Sequence, residues 1–174
     1  DKKINSVSST SAGRLFDAVS AILGIRRSST FEGEASTSLM FAAMEYDRNK
    51  DSKKIKDEFE TLDLFKDKVL NTNELVCMIA KKYLEGQDIN FLAYAFHDIL
   101  SLMIATKCKL YSKESGIKTV ALSGGVYQNL LLLELTKNKL NNLGLIVIHH
   151  SLIPPNDGGI ALGQALYGLF NQDL

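Results

Sequence analysis

Two short apolar runs constrain this chain more than any other feature. They are "KTVALSGG" (118–125) and "LIVIHH" (145–150), with the helix-patterned "VYQNLLLLELTKNKLNNLG" between them and "NDGGIALGQALYGLF" after. Strands whose apolar residues run on without polar alternation pair in parallel and are buried on both faces. A strand, helix, strand, helix order is the α/β pattern. Residues 117–174 therefore read as an α/β part. Each strand is followed by a glycine pair, Gly124 with Gly125 and Gly158 with Gly159, where a helix is expected to begin, near Val126 in the first case.

Residues 1–116 read as mainly helical. "SAGRLFDAVSAILG" spaces Leu15, Phe16, Val19, Ile22 and Leu23 on one helical face, with Ser11 as cap and Gly24 as stop. A second helix, entered through Gly33, carries Leu39, Met40, Ala43 and Met44. "NELVCMIAKKYLEG" and "DINFLAYAFHDILSLMIATKCKLYSKES" give two more, with Asn73 and Asp88 as caps and Gly86 as a break. Residues 48–72 are highly charged with isolated apolar residues, and are expected to form an exposed, solvated excursion.

Charge excludes some functions. Lys plus Arg and Asp plus Glu are 20 each, so there is no basic field to draw the chain onto nucleic acid or anionic lipid. Cys77 and Cys108 are the two cysteines and lack CxxC spacing. Neither a zinc knuckle nor a redox pair is indicated, and both read as buried, reduced thiols of a cytoplasmic protein. No stretch reaches the ~18–20 uncharged apolar residues of a membrane span, and "DKKINSVSST" has no signal-type apolar region.

Glycines at a strand-to-helix turn let backbone N–H groups approach a phosphate, and a helix start adds its positive end. Gly124 and Gly125 suit such a cradle, although tight turns also use glycine pairs. In "IPPNDGGIALGQA" the carboxylate of Asp157 follows a rigid turn. It reads either as a helix cap or as an oxygen ligand for a hard cation beside phosphates. "SSTSAGRLFD" supplies Gly13 and, one helical turn on, Asp17, a candidate acceptor for ribose hydroxyls. Three glycine-bearing helix starts suggest one nucleotide crevice built from distant segments. His97, in an apolar helix, reads as a hydrogen-bonded core histidine. His149 and His150 are strand neighbours that point to opposite faces and cannot easily share a metal. No nucleophilic Ser or Cys beside a base is apparent.

Five blocks in order, "SSTSAGRLFDAVSAILGI", "FEGEA", "FHDIL", "ALSGGVYQN" and "IPPNDGGIALGQAL", resemble the C-terminal region of the HypF carbamoyltransferases of nickel–iron hydrogenase maturation. They span Ser8 to Leu166. The TsaD/YgjD threonylcarbamoyl-transferases of tRNA modification are more distant; Arg14 stands where they carry Glu. The resemblance implies a predominantly helical α/β fold, the second lobe of an actin-like, Hsp70-like, sugar-kinase ATPase fold. It implies that Gly13 and Asp17 hold ribose, that Gly124, Gly125 and Asn129 lie around phosphates and adenine, and that Asp157 is a metal ligand. Glu32 and Glu34 are candidates to position the acyl group, or are exposed helix-start carboxylates. The implied cofactors are ATP with carbamoyl-adenylate and a divalent metal ion whose other ligands, a His-x-x-x-His, are not in this chain. The implied partners are a HypE-like acceptor protein and the remaining HypF domains, with no nucleic acid and no membrane. The chain is expected to be a C-terminal portion that does not catalyse by itself. A non-catalytic nucleotide-binding or docking fragment, a related O-carbamoyltransferase and a tRNA threonylcarbamoyl-transferase stay open as alternatives.

Overall fold

A computed structural model describes residues 9–46, 54–66 and 69–171. The chain forms two compact units, Asp1–His97 and Asp98–Leu174.

The first unit is helical. Helix α1 is Ala12–Ile22, with Ser11 at its N-cap. It ends where Gly24 takes a φ of 72°, a left-handed conformation that closes the helix. Helix α2 is Glu34–Met44, with Gly33 at its N-cap. Helix α3, Lys54–Glu58, and the antiparallel strand pair of β1, Phe65–Lys66, and β2, Val69–Leu70, follow. Helix α4 is Thr72–Leu84 and begins after Asn71, two residues ahead of the Asn73 expected as cap. Asp88 caps the next helix, α5, Ile89–Ser115, by accepting a 2.8 Å bond from the Phe91 amide. Phe16, Val19, Leu39, Leu75, Ile79, Phe91 and Phe96 are almost fully buried here. Phe16 meets Phe96 edge-on at 5.0 Å, a favoured aromatic geometry.

Two expectations fail in this unit. The charged segment at 48–72 is not wholly solvated. Phe59 and Leu62 are buried, and Glu58 accepts bonds from Lys82 and Gln87, which ties α3 to α4 and the turn after it. Residues 47–53 and 67–68 lie outside the described residues. Cys77 is exposed rather than buried, and Cys108, in the second unit, is half-buried. The local reason is that Cys77 lies between Leu75 and Ile79, the inward positions of α4.

Helix α5 has an 18-residue window of mean hydropathy 1.4, long and apolar enough to cross a membrane by length and composition. Asp98 interrupts every such window, so no uncharged run of ~18–20 residues is present in it. In addition, 67% of that window is buried inside the protein, as in the core helix of a globular domain.

The second unit holds the rest of α5, strand β3 (Thr119–Leu122), helix α6 (Leu130–Asn142), strand β4 (Ile146–His149) and helix α7 (Ile160–Phe170). Strands β3 and β4 pair in parallel, from Thr119 beside Ile146 to Leu122 beside His149. Ala105, Leu122, Leu140 and Leu145 form the core, with Val120, Val147 and Leu133 against it. Among the described residues the sheet is covered on one face only. Ile146 and Ile148 are 60% and 54% exposed, so burial on both faces is not realised among the described residues. Every residue of α7 is exposed as well, including Leu162, Leu166, Leu169 and Phe170.

Candidate functional site

The candidate residues fall in both units. In the first, Gly13 sits in the opening turn of α1 and is exposed. Arg14 and Asp17 form an i, i+3 ion pair at 3.3 Å on the surface. Such pairs contribute about 0–1 kcal/mol, so a ligand hydroxyl can compete for the Asp17 carboxylate.

The two "FEGEA" carboxylates have different surroundings. Glu32 is exposed. Glu34 is buried, and one of its oxygens accepts from the Thr30 amide at 2.6 Å and the Thr30 hydroxyl at 3.0 Å. Arg26 lies 3.4 Å from its other oxygen. The Thr30 amide bond, assisted by the Thr30 hydroxyl and the Arg26 charge, holds the Glu34 carboxyl below its ordinary range against the opposing effect of burial. Glu34 thus fastens the 26–34 loop to the start of α2. His97 is fully buried, with Nδ1–H donating to the Ala93 carbonyl at 2.7 Å and its ring edge-on to Phe16 at 5.3 Å. Desolvation pushes its pKa down to about 4, so the ring is neutral at pH 7. The core-histidine reading holds.

In the second unit the chain turns sharply at Gly124, whose φ of 95° and ψ of 156° are open to glycine alone among the common residues. A single 3₁₀ turn, Gly125–Gln128, comes next. The α-helix expected at Val126 begins at Leu130 instead, because Asn129 caps it by accepting from the Leu132 amide at 2.9 Å. Any anion at this turn would therefore meet loop amides rather than the end of α6. The carboxamide oxygen of Asn129 is committed to that cap.

The second glycine pair has a packing cause. A Cβ on Gly159 would lie 3.0 Å from the Pro154 carbonyl and 3.1 Å from Ile153 Cγ2. On Gly158 it would lie 3.1 Å from both Asn156 Oδ1 and Pro154 Cγ. The proline turn folds back so closely that neither position accommodates a side chain without a shift. Asn156, not Asp157, is the cap, accepting from the Gly158 amide at 3.1 Å. Asp157 is exposed; its backbone carbonyl accepts from the Ile160 amide, and among the described residues no hydrogen bond or ion pair reaches its carboxylate. The two turns meet, since a Cβ on Gly125 would sit 3.8 Å from Asn156 Cβ. Among the described residues no three His, Cys, Asp or Glu are grouped to hold a metal, so Asp157 offers one oxygen ligand and no complete site.

One constellation was missed. Ser123 Oγ and His150 Nε2 are 2.8 Å apart, so a serine does lie beside a base, contrary to expectation. The parallel register pairs Leu122 with His149, and Ser123 and His150 are the residues immediately after the two strands. The signal was the serine before the first glycine pair together with a histidine ending the second apolar run, but only the register joins them. His149 points the other way, with Lys137 Nζ 2.8 Å from its Nε2.

Helical first unit, parallel strand pair and glycine turns define the class: a predominantly helical α/β chain from the second lobe of an actin-like ATPase fold. Residues 1–164 match the family described as carbamoyltransferase, Kae1-like domain, second subdomain. The chain is 31% identical over 166 residues to the probable carbamoyltransferase HypF of Methanocaldococcus jannaschii, covering 95% of this chain and 20% of that protein. It is 34% identical over 166 residues to the carbamoyltransferase HypF of Rhodobacter capsulatus, with the same coverage. A crystal structure of full-length HypF in the phosphate- and nucleotide-bound form superposes with a TM-score of 0.76 at 33% identity, over 95% of this chain and 21% of that one. T. kodakarensis HypF gives 0.79 at 26% identity, over 99% and 21%. The chain belongs to the HypF carbamoyltransferase family, and it spans about a fifth of the length of these relatives.

Proposed function

We propose that this chain supplies the nucleotide-holding part of an enzyme that takes a carbamoyl group from carbamoyl-adenylate, made from carbamoyl phosphate and ATP. The acceptor is the C-terminal cysteine thiol of a HypE-like protein, on the way to the cyanide ligands of nickel–iron hydrogenase. The observation that carries the reading is the contact of the Gly124–Gly125 turn with the Asn156–Asp157 turn just beyond the carboxyl ends of two parallel strands, where α/β sheets bind ligands. A relative solved with phosphate and nucleotide bound supports it.

In this reading Gly124 and Gly125 offer backbone N–H donors to phosphate oxygens, and Asn129 fixes the start of the helix behind them. Gly13 and Asp17 serve the ribose, while Glu32, the accessible "FEGEA" carboxylate, is the better placed of the two to meet an acyl group. A divalent cation would neutralise phosphate charge, with Asp157 as one ligand and the rest from outside this chain. Transfer forms a sulfur–carbon bond at the carbamoyl carbonyl as the thiol proton is lost to solvent, and breaks the carbon–oxygen bond to AMP, which leaves with the electron pair. Donors fixed at that oxygen stabilise the charge it gains. The exposed apolar face made by Ile146, Ile148 and α7 is the kind of surface that another domain covers, and the remaining HypF domains are its proposed occupants.

A second reading, a nucleotide-binding and docking module without turnover, is favoured by that same exposed face and by Asp157 standing alone. Incubating the chain joined to the remaining HypF domains with carbamoyl phosphate, ATP and the acceptor protein separates the two. AMP release with carbamoylated cysteine supports the enzyme. No product, with a melting temperature still raised by AMP, supports the module. No product and no response to nucleotide sinks both.

A further inference from the structure

The Ser123–His150 pair has no role in the family reading above, and the geometry points to one: His150 is a positioning residue that holds the Ser123 hydroxyl for a phosphate oxygen seated on the Gly124–Gly125 turn. This deepens the proposed nucleotide reading and rests on it. Three observations place the pair there. Ser123 is bonded in sequence to Gly124, whose glycine-only conformation opens the turn. His150 is the first residue beyond β4, and the parallel register sets it across from Ser123 at the carboxyl edge of the sheet. The two side chains are already within hydrogen-bond distance, 2.8 Å, and both residues are exposed.

A serine hydroxyl has one proton and two lone pairs. To donate to an anion it must take its other bond as an acceptor, and His150 Nε2–H supplies that bond. Bound phosphate therefore selects the tautomer with the proton on Nε2, and the bond from His150 holds the hydroxyl proton turned towards the anion. The pair does not form a nucleophilic triad, since among the described residues no carboxylate orients the far nitrogen of His150. The neighbouring histidine contributes differently: His149 faces Lys137 on α6.

The test titrates AMP, inorganic phosphate and adenosine into the 174-residue chain and its variants by calorimetry. Ser123→Ala and His150→Ala each weaken AMP and phosphate binding about tenfold, the loss of one charge-assisted hydrogen bond. Adenosine binding is unchanged. The double variant is no weaker than Ser123→Ala, and His150→Gln, whose amide reaches the same place as Nε2, keeps most of the affinity. Melting temperatures stay at the wild-type value because both side chains are exposed. Multiplying losses in the double variant, an equal fall for adenosine, or full affinity in His150→Ala would overturn the positioning role alone. A wild-type chain that binds neither AMP nor phosphate would overturn the phosphate reading as well.

Discussion

Gly124→Ala and Gly125→Ala, one residue apart, separate what the turn does for folding from what it does for binding. At Gly124 nothing lies within 4 Å of an added Cβ, so the cost is conformational rather than steric. With φ at 95° and ψ at 156°, an alanine sits in a sparsely populated region that costs about 1–3 kcal/mol. Taking about 2 kcal/mol, and about 2–4 °C per kcal/mol for a chain of this size, Gly124→Ala lowers the melting temperature by about 4–8 °C. Gly125 has no positive φ, and its Cβ would make an ordinary 3.8 Å contact with Asn156. Gly125→Ala therefore changes stability by no more than about 0.5 kcal/mol, yet puts a methyl where a phosphate must approach and abolishes measurable AMP binding. Thermal melts followed by circular dichroism, with and without AMP, read both effects. An unchanged melt for Gly124→Ala would refute the backbone argument, and undiminished AMP binding by Gly125→Ala would refute the cradle.

Further expectations follow from the cores and the titrating groups. His97 has a folded-state pKa depressed from 6.5 to about 4. Its contribution to stability is therefore complete above pH 6.5 and is lost as pH falls towards 4, by roughly 3 kcal/mol. Urea melts at pH 7, 5.5 and 4 should show that fall, and His97→Gln should flatten it. Leu140 is fully buried in the second unit, and Leu140→Ala should cost about 2–5 kcal/mol in the same melts. Ser20 is fully buried in α1, and its hydroxyl has no partner among the described residues. Ser20→Ala should therefore be neutral or raise stability by up to about 1 kcal/mol, whereas a clear loss would mean the hydroxyl is bonded.

The elements whose signals are local were legible. Ser11 and Gly24 bound α1, Asp88 caps α5, and the two unalternating runs do pair in parallel. Features set by tertiary context were not. Nothing in "SGGVYQN" tells a 3₁₀ turn from the first turn of a helix, because the deciding interaction is the bond from Leu132 to Asn129. Phe59 and Leu62 are isolated apolar residues in a charged segment, and only the packing reveals them as buried. Glu34 read equally as a ligand contact or a helix-start carboxylate until its bonds to Thr30 were seen. The Ser123–His150 pair depends on a register that a shift of one residue would have broken.

The most direct measurement is amide chemical-shift mapping of the labelled chain during titration with AMP, with adenosine as the control. If the two contacting turns form a phosphate site, the amides of Gly124, Gly125 and Asp157 shift together with one dissociation constant for AMP and stay still with adenosine. If those three amides do not respond to AMP, or respond equally to adenosine, the turns do not bind phosphate and the assigned role of this part of the chain is wrong.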